Sequence, residues 1–408
     1  MKKIIVNGGR PLDGEITVSG SKNAALPIIF ACLLTSGASY IDNLPDIGDV
    51  AVALWLIENM GAKVERQGSS VMIDTASLSY SDPDPDLVSQ IRASTYLIGA
   101  CLGRFGRCPI TSFGGCSFSH RPIDMHIDAC VTLGAKLEGS ALYCKRPIGG
   151  SVYFAKASVG ATVNAILLAS VAEGDSHIFG CAIEPHIDAL ISFLISCGAF
   201  IHRDGRDIHI KGRSLHGGSI RIIGDMIEAG SYLSLGLMCQ SKIKVKNSPI
   251  SDMDSFFDAI GRLGAKVQID GGVITMMADE SSFLSVTTAP YPGFPTDLQP
   301  ILAPLMACFS GGEITDTVWP GRFGYLEALS AFGVVSSVRE NTAYIYRSPL
   351  TSGRAYAPDL RGGMACLMAA LAASGHSEIY SLDIILRGYE NLDKKLRAIG
   401  ADVKIIDT

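Results

Sequence analysis

The stretch Asn59-Met60-Gly61-Ala62-Lys63-Val64 joins the end of one element to the start of the next. An amphipathic helix runs into Gly61. Glycine takes the left-handed conformation just past a helix end without a Cβ clash, and a short alternating strand follows. The same junction recurs as TLGAKL at Gly134, SCGAFI at Gly198, RLGAKV at Gly264, AFGVVS at Gly333 and AIGADV at Gly400, at intervals of 73, 64, 66, 69 and 67 residues. Near-constant spacing over six copies marks an internal repeat rather than a common helix exit met by chance.

A second motif appears once per repeat: a helix of small and apolar residues, a turn, then a strand. Its copies are ACLLTSGASYI, ACLGRFGRCPI, LLASVAEGDSHI, GLMCQSKIKV, PLMACFSGGEI and LAASGHSEI. A helix apolar on all sides is buried at a centre, whereas its amphipathic partner keeps a wet face. The repeat therefore reads strand, apolar helix, strand, amphipathic helix, strand, strand, and the fold class is α/β. Six buried helices do not share one centre comfortably, so the repeats divide three and three into two domains of about 200 residues, each built around its buried helices. EITVSG precedes the first buried helix and the sixth repeat ends in VKII, so the N-terminal strands are expected to complete the last unit. The domains are then residues 22–222 and residues 1–21 plus 223–408. A double crossover near residues 20 and 223 would form a hinge, with the active site in the cleft between the domains.

Composition narrows the function. A chain 48% hydrophobic and 18% charged buries a large core, and a net charge of −6 argues against a nucleic-acid partner. MKKIIVNGG lacks the apolar run of a signal peptide, and the apolar stretch Ala161 to Ala172 is too short and too often interrupted by polar residues to span a bilayer. A cytoplasmic protein without membrane contact is expected. The 11 cysteines include no Cys-x-x-Cys pair, so neither a disulfide framework nor a zinc ribbon is indicated.

Polar residues collect where the buried helices begin: Ser21-Lys22-Asn23, Arg92-Ala93-Ser94, Ser158-Val159-Gly160, Glu228-Ala229-Gly230, Thr296-Asp297 and Asp359-Leu360-Arg361. Ser, Thr and Asp there serve as caps. Lys22, Arg92 and Arg361 do not, because a cation opposes the positive end of the helix dipole. Either they form internal salt bridges or they share an anionic ligand with the helix ends. The segment 113–126, FGGCSFSHRPIDMH, reads as a loop whose thiol, Cys116, lies five residues before Arg121, a cation that favours the thiolate. His120 and His126 accompany that thiol without the spacing of a metal site. Asp297 follows the rigid PGFPT turn as a cap or a base, and Arg387 adds a further cation before the last helix.

Taken together, SGSKNAALP (19–27), IRAS (91–94), GGCSFSHRPIDMH (114–126), SVGAT (158–162), FPTD (294–297), DLR (359–361) and RGYE (387–390) resemble the enolpyruvyltransferase family in its UDP-N-acetylglucosamine 1-carboxyvinyltransferase branch, from end to end of the chain. The resemblance implies an inverse α/β barrel fold of two domains, each of three βαβαββ units. It implies transfer of the enolpyruvyl group of phosphoenolpyruvate to the 3-hydroxyl of UDP-N-acetylglucosamine, without metal or cofactor. Lys22, Arg121 and Arg387, with Asn23 beside them, would hold the phosphate and carboxylate of phosphoenolpyruvate. Cys116 would be the proton donor or adduct-forming thiol that fosfomycin alkylates, and Asp297 the base beside the sugar hydroxyl. Arg92, Arg121, Pro122, Ile123, Asp124, Met125, Lys156, Ala157, Ser158, Val159 and Val318 would contact the UDP-sugar, and Asp359 and Arg361 would stand near the thiol loop. The chain departs from the family pattern at Ile183, Gly321, Met226 and Leu386, where an arginine, an asparagine, an arginine and an acidic residue are usual. These departures leave open an enolpyruvyltransferase with another nucleotide or sugar acceptor, or a paralogue that binds UDP-sugar without catalysis.

Overall fold

The computed structural model describes residues 2–110, 113–114, 122–278 and 281–407. All six junction glycines have left-handed backbones, with φ of 98° at Gly61, 97° at Gly134, 95° at Gly198, 107° at Gly264, 84° at Gly333 and 88° at Gly400. The helix before Gly264, Asp254–Leu263, buries Phe256, Ala259, Ile260 and Leu263, the one-sided spacing of an amphipathic helix. The other class of helix is buried on every side. Val159–Ala169 buries every residue from Ala161 onward, Met226–Met238 every residue from Ile227 and Leu360–Ala372 every residue to Leu371. Lys22–Ala31 even carries Pro27 in its interior, a defect of about 3 kcal/mol. Burial of Leu26, Ile28, Ile29 and Phe30, at about 1.5–3 kcal/mol for each such side chain, outweighs it.

Ser151–Tyr153 runs parallel to Asp175–Phe179, which pairs antiparallel with Asp207–Lys211, itself paired with Phe200–Asp204. A parallel pair needs a crossover, and the buried helix Val159–Ala169 supplies it, while Pro185–Ser196 leads into the closing hairpin. Leu284–Thr288, Gly312–Asp316, Thr342–Tyr346 and Val335–Arg339 repeat that arrangement around Gln299–Cys308. This is the βαβαββ unit expected from the repeat.

The N-terminal strands depart from expectation. Lys2–Gly8 lies between Gly375–Tyr380 and Asp402–Asp407 and completes the last unit, as anticipated. Gly14–Thr17 does not join that sheet: it runs parallel to Ile243–Lys246, with Ile16 opposite Val245. Reciprocally, Ser219–Arg221, just before the helix Met226–Met238, pairs with Ala38–Asp42, with Ile220 opposite Ile41. Each of these two helices therefore has its parallel strand supplied by the segment that precedes the other. A strand of three or four residues carries a period but no record of its partner.

The chain divides into two compact units, Met1–Ser19 with Gly224–Thr408, and Gly20–Ile223. Each has its own hydrophobic core, one containing Tyr232, Phe256 and Phe332, the other Phe30, Leu56 and Phe193. Among the described residues no helix is long and apolar enough to cross a membrane.

Candidate active site

In the unit Gly20–Ile223, the hydroxyl of Ser21 caps Lys22–Ala31 by accepting from the Ala24 N–H. Lys22, first in that helix, places its Nζ 2.8 Å from Oδ2 of the buried Asp49, in the first turn of the next helix. The ion pair fixes where the lysine charge stands. Asn23 beside it is half-buried. Arg92 opens the short helix Arg92–Tyr96, and burial, partly offset by Tyr96, lowers its pKa.

Asp124, Met125 and Lys156 line one pocket of about 370 Å3 with Asp128, Thr132 and Tyr153. Pro122 and Ile123 lead into the helix Asp124–Thr132, and Ala157 precedes Ser158, whose hydroxyl caps Val159–Ala169 at 3.3 Å from the Ala161 N–H. Behind this surface His126, 6% exposed, accepts a 2.8 Å hydrogen bond at Nδ1 from the Asn164 amide. Burial, reinforced by the charge of Arg92 and opposed by Asp124, pushes the His126 pKa down to about 4. The ring is therefore neutral at physiological pH.

In the other unit the focus is Asp297, at the entrance to Gln299–Cys308. Its Oδ1 lies 2.8 Å from Nη1 of Arg322, and its Oδ2 3.4 Å from Nε of Arg361. The two guanidinium side chains are 5% and 2% exposed and the carboxylate 31%, so the acid is the accessible member of the group. Arg361 keeps its charge: burial acts to lower its pKa, but Tyr389, Asp297 and Asp225 outweigh that and raise it. Both terminal nitrogens of Arg361 are buried without a hydrogen-bond partner among the described residues. Its guanidinium lies over the Tyr389 ring at 5.3 Å, and the Tyr389 hydroxyl is 2.9 Å from Ser231 Oγ.

A fully buried carboxylate, Asp316, sets the frame. It accepts from Thr288 and Thr296 hydroxyls at 2.7 Å each and from the N–H groups of Val318 and Trp319 at 2.9 and 2.8 Å. Thr296 is thereby fixed beside Asp297, and Val318 is fixed at the same anchor. Asp359 caps Leu360–Ala372, accepting from the N–H groups of Arg361 and Gly362 at 2.9 and 3.1 Å. Arg387 is half-buried two residues before Tyr389.

Of the residues singled out from sequence, the structure groups Asp297 with Arg361 and the Asp359 cap, and Asp124 with Met125 and Lys156. Cys116 and Arg121 lie outside the described residues. Arg322, Asp316, Asn164 and Asp49 were missed. Arg322 follows a departure from the family pattern, Gly321, whose φ of 83° suits either glycine or the usual asparagine. Met226 and Leu386, two other departures, are partly buried against the core of their unit, so their apolar character is used in packing.

Each unit is built of repeated βαβαββ modules with charged side chains at the entrances of its buried helices, the architecture of a class of α/β enzymes whose members the sequence comparisons specify. The profile of the EPSP synthase (3-phosphoshikimate 1-carboxyvinyltransferase) family matches residues 6–396, and the chain belongs to that family of enolpyruvyl-transferring enzymes. Its whole-length relatives narrow the branch. The chain is 39% identical to "UDP-N-acetylglucosamine 1-carboxyvinyltransferase 3" of Caldanaerobacter subterraneus subsp. tengcongensis, covering 99% of each chain. It is 35% identical to "UDP-N-acetylglucosamine 1-carboxyvinyltransferase 1" of Streptococcus agalactiae, covering 100% of each. Among solved structures, the enolpyruvyl transferase NikO from Streptomyces tendae superposes with a TM-score of 0.88 at 24% identity, over 100% of this chain and 99% of that one. An EPSP synthase from Acinetobacter baumannii gives 0.76 at 18%, over the whole of both chains. These two likenesses concern the fold.

Proposed function

We propose that this protein transfers the enolpyruvyl group of phosphoenolpyruvate to the 3-hydroxyl of UDP-N-acetylglucosamine and releases inorganic phosphate, the entry step of peptidoglycan precursor synthesis. The observation that carries this reading is the Asp297 group: an accessible carboxylate at a buried-helix entrance, held in place by two buried guanidiniums.

In this reading Asp297 takes the proton of the sugar hydroxyl as its oxygen attacks C2 of phosphoenolpyruvate, and Cys116 or another acid protonates C3. The tetrahedral ketal that results is stabilised by Lys22, Arg121, Arg361 and Arg387. Loss of a proton from C3 then expels phosphate and restores the double bond as an enol ether. Asn23 stands beside Lys22. Arg92, Pro122 to Met125, Lys156 to Val159 and Val318 form the UDP-sugar contacts, and Asp359 holds the first turn that carries Arg361. Fosfomycin would act by alkylating Cys116.

Asp297→Asn keeps an acceptor oxygen for Arg322 and Arg361 and removes the base. Turnover should fall by about 10²–10⁴-fold while UDP-sugar affinity changes little. A folded variant with normal turnover would remove Asp297 from the chemistry.

A further inference from the structure

Three segments assigned above to the UDP-sugar meet at one buried pair of side chains that the reaction does not consume. Asn164 and His126 are 0% and 6% exposed. The Asn164 carboxamide accepts from the Gly99 N–H at 2.7 Å through Oδ1. Its Nδ2 lies 2.8 Å from His126 Nδ1, 3.1 Å from the Thr95 carbonyl and 3.2 Å from the Gly160 carbonyl. Because Oδ1 is taken up by an N–H, the amide orientation is fixed: Nδ2 faces the ring and Nδ1 must accept. The proton of the neutral imidazole is then on Nε2. The ring also packs closely against Gly160, where an added Cβ would come within 2.5 Å of His126 Cε1 and 2.9 Å of Nε2.

We infer that His126 and Asn164 are positioning residues for the nucleotide-sugar site. Through them the segment Pro122–Met125, the helix entrance Ser158–Val159 and the short helix that carries Arg92 are held in one register. His126 belongs to the helix that Asp124 begins, Gly160 is the second residue of Val159–Ala169, and Thr95 lies in Arg92–Tyr96. A rotation of any one segment breaks a hydrogen bond or drives Gly160 into the ring. The ring is suited to the task because it stays neutral beside Arg92: an imidazolium would carry a proton on Nδ1 facing the Asn164 amide donor. The only charged groups identified as acting on His126 among the described residues are Arg92 and Asp124.

This assignment rests on the functional reading above, so the test measures both. Calorimetric titration with UDP-N-acetylglucosamine is run on the wild type, on His126→Phe and on Asn164→Asp, with the melting temperature of each and the KM for both substrates. His126→Phe should weaken UDP-sugar affinity about tenfold or more, with a much smaller change in the phosphoenolpyruvate KM. Asn164→Asp keeps the volume and the bond to Gly99 but sets a carboxylate against Nδ1, which favours the imidazolium. Its UDP-sugar affinity should become pH-dependent around neutrality, where that of the wild type is flat. A merely structural pair would lower the melting temperature and leave that profile flat. If His126→Phe does not fold, Asn164→Asp decides. Folded variants that bind as the wild type does, with no pH dependence, overturn the positioning role. A wild type that does not bind the UDP-sugar overturns the functional reading, and this inference with it.

Discussion

Asp297 and His126 both stand beside arginines, one carboxylate accessible and one imidazole buried. Asp297 is accessible and faces two cations. His126 is buried with a cation nearby, and its pKa falls from 6.5 to about 4. Above pH 6.5 the ring is neutral in both the folded and unfolded chain and contributes no pH dependence. Between pH 6.5 and about 4 the unfolded chain takes up a proton that the folded chain refuses. Stability therefore falls as the pH falls through that window, by about 1.4 kcal/mol per unit and about 3 kcal/mol in all. Urea unfolding at neutral pH and near about pH 5 should show this acid loss in the wild type and a shallower one in His126→Phe. Equal slopes would mean that the ring is not held neutral. At this scale the sequence showed the cations that oppose a helix dipole and the carboxylate after a proline turn. Arg322 was not legible, since it precedes no cap and starts no helix, and it meets Asp297 only through the fold. Asn164 was equally hidden, a polar residue within an otherwise apolar helix.

The helices were the most legible elements, because each announces its own type. A run such as LRGGMACLMAALA is apolar on every side and is buried on every side, and DSFFDAIGRL is one-sided and keeps a wet face. The glycine exits were legible for a local reason, since only the backbone conformation at that position is at stake. Gly400 isolates this term: its φ is 88° and nothing lies within 4 Å of an added Cβ. Gly400→Ala should therefore cost about 1–2 kcal/mol in chemical denaturation, with enzyme turnover unaffected. A neutral or stabilising result would show that the helix exit tolerates another conformation. Strand partners were less legible. Gly14–Thr17 and Ser219–Arg221 are both short, each with a central isoleucine, and each lies ahead of a buried helix. The pairing they adopt is set by which sheet lacks a parallel strand, a property of the whole chain.

At the scale of the molecule, six copies of one module bring helix entrances together in threes, so that residues separated by 64 positions in sequence, Asp297 and Arg361, share a site. Eight of the ten described cysteines are buried, and the other two, Cys239 and Cys308, are half-buried with thiol pKa values raised to about 12, chiefly by burial. The most direct measurement is to incubate the protein with phosphoenolpyruvate and UDP-N-acetylglucosamine, follow phosphate release, and identify the nucleotide-sugar product by mass spectrometry. The account predicts equal amounts of phosphate and of an enolpyruvyl ether of the UDP-sugar, both abolished by prior fosfomycin treatment. UDP-sugar binding with neither product nor phosphate release would contradict it.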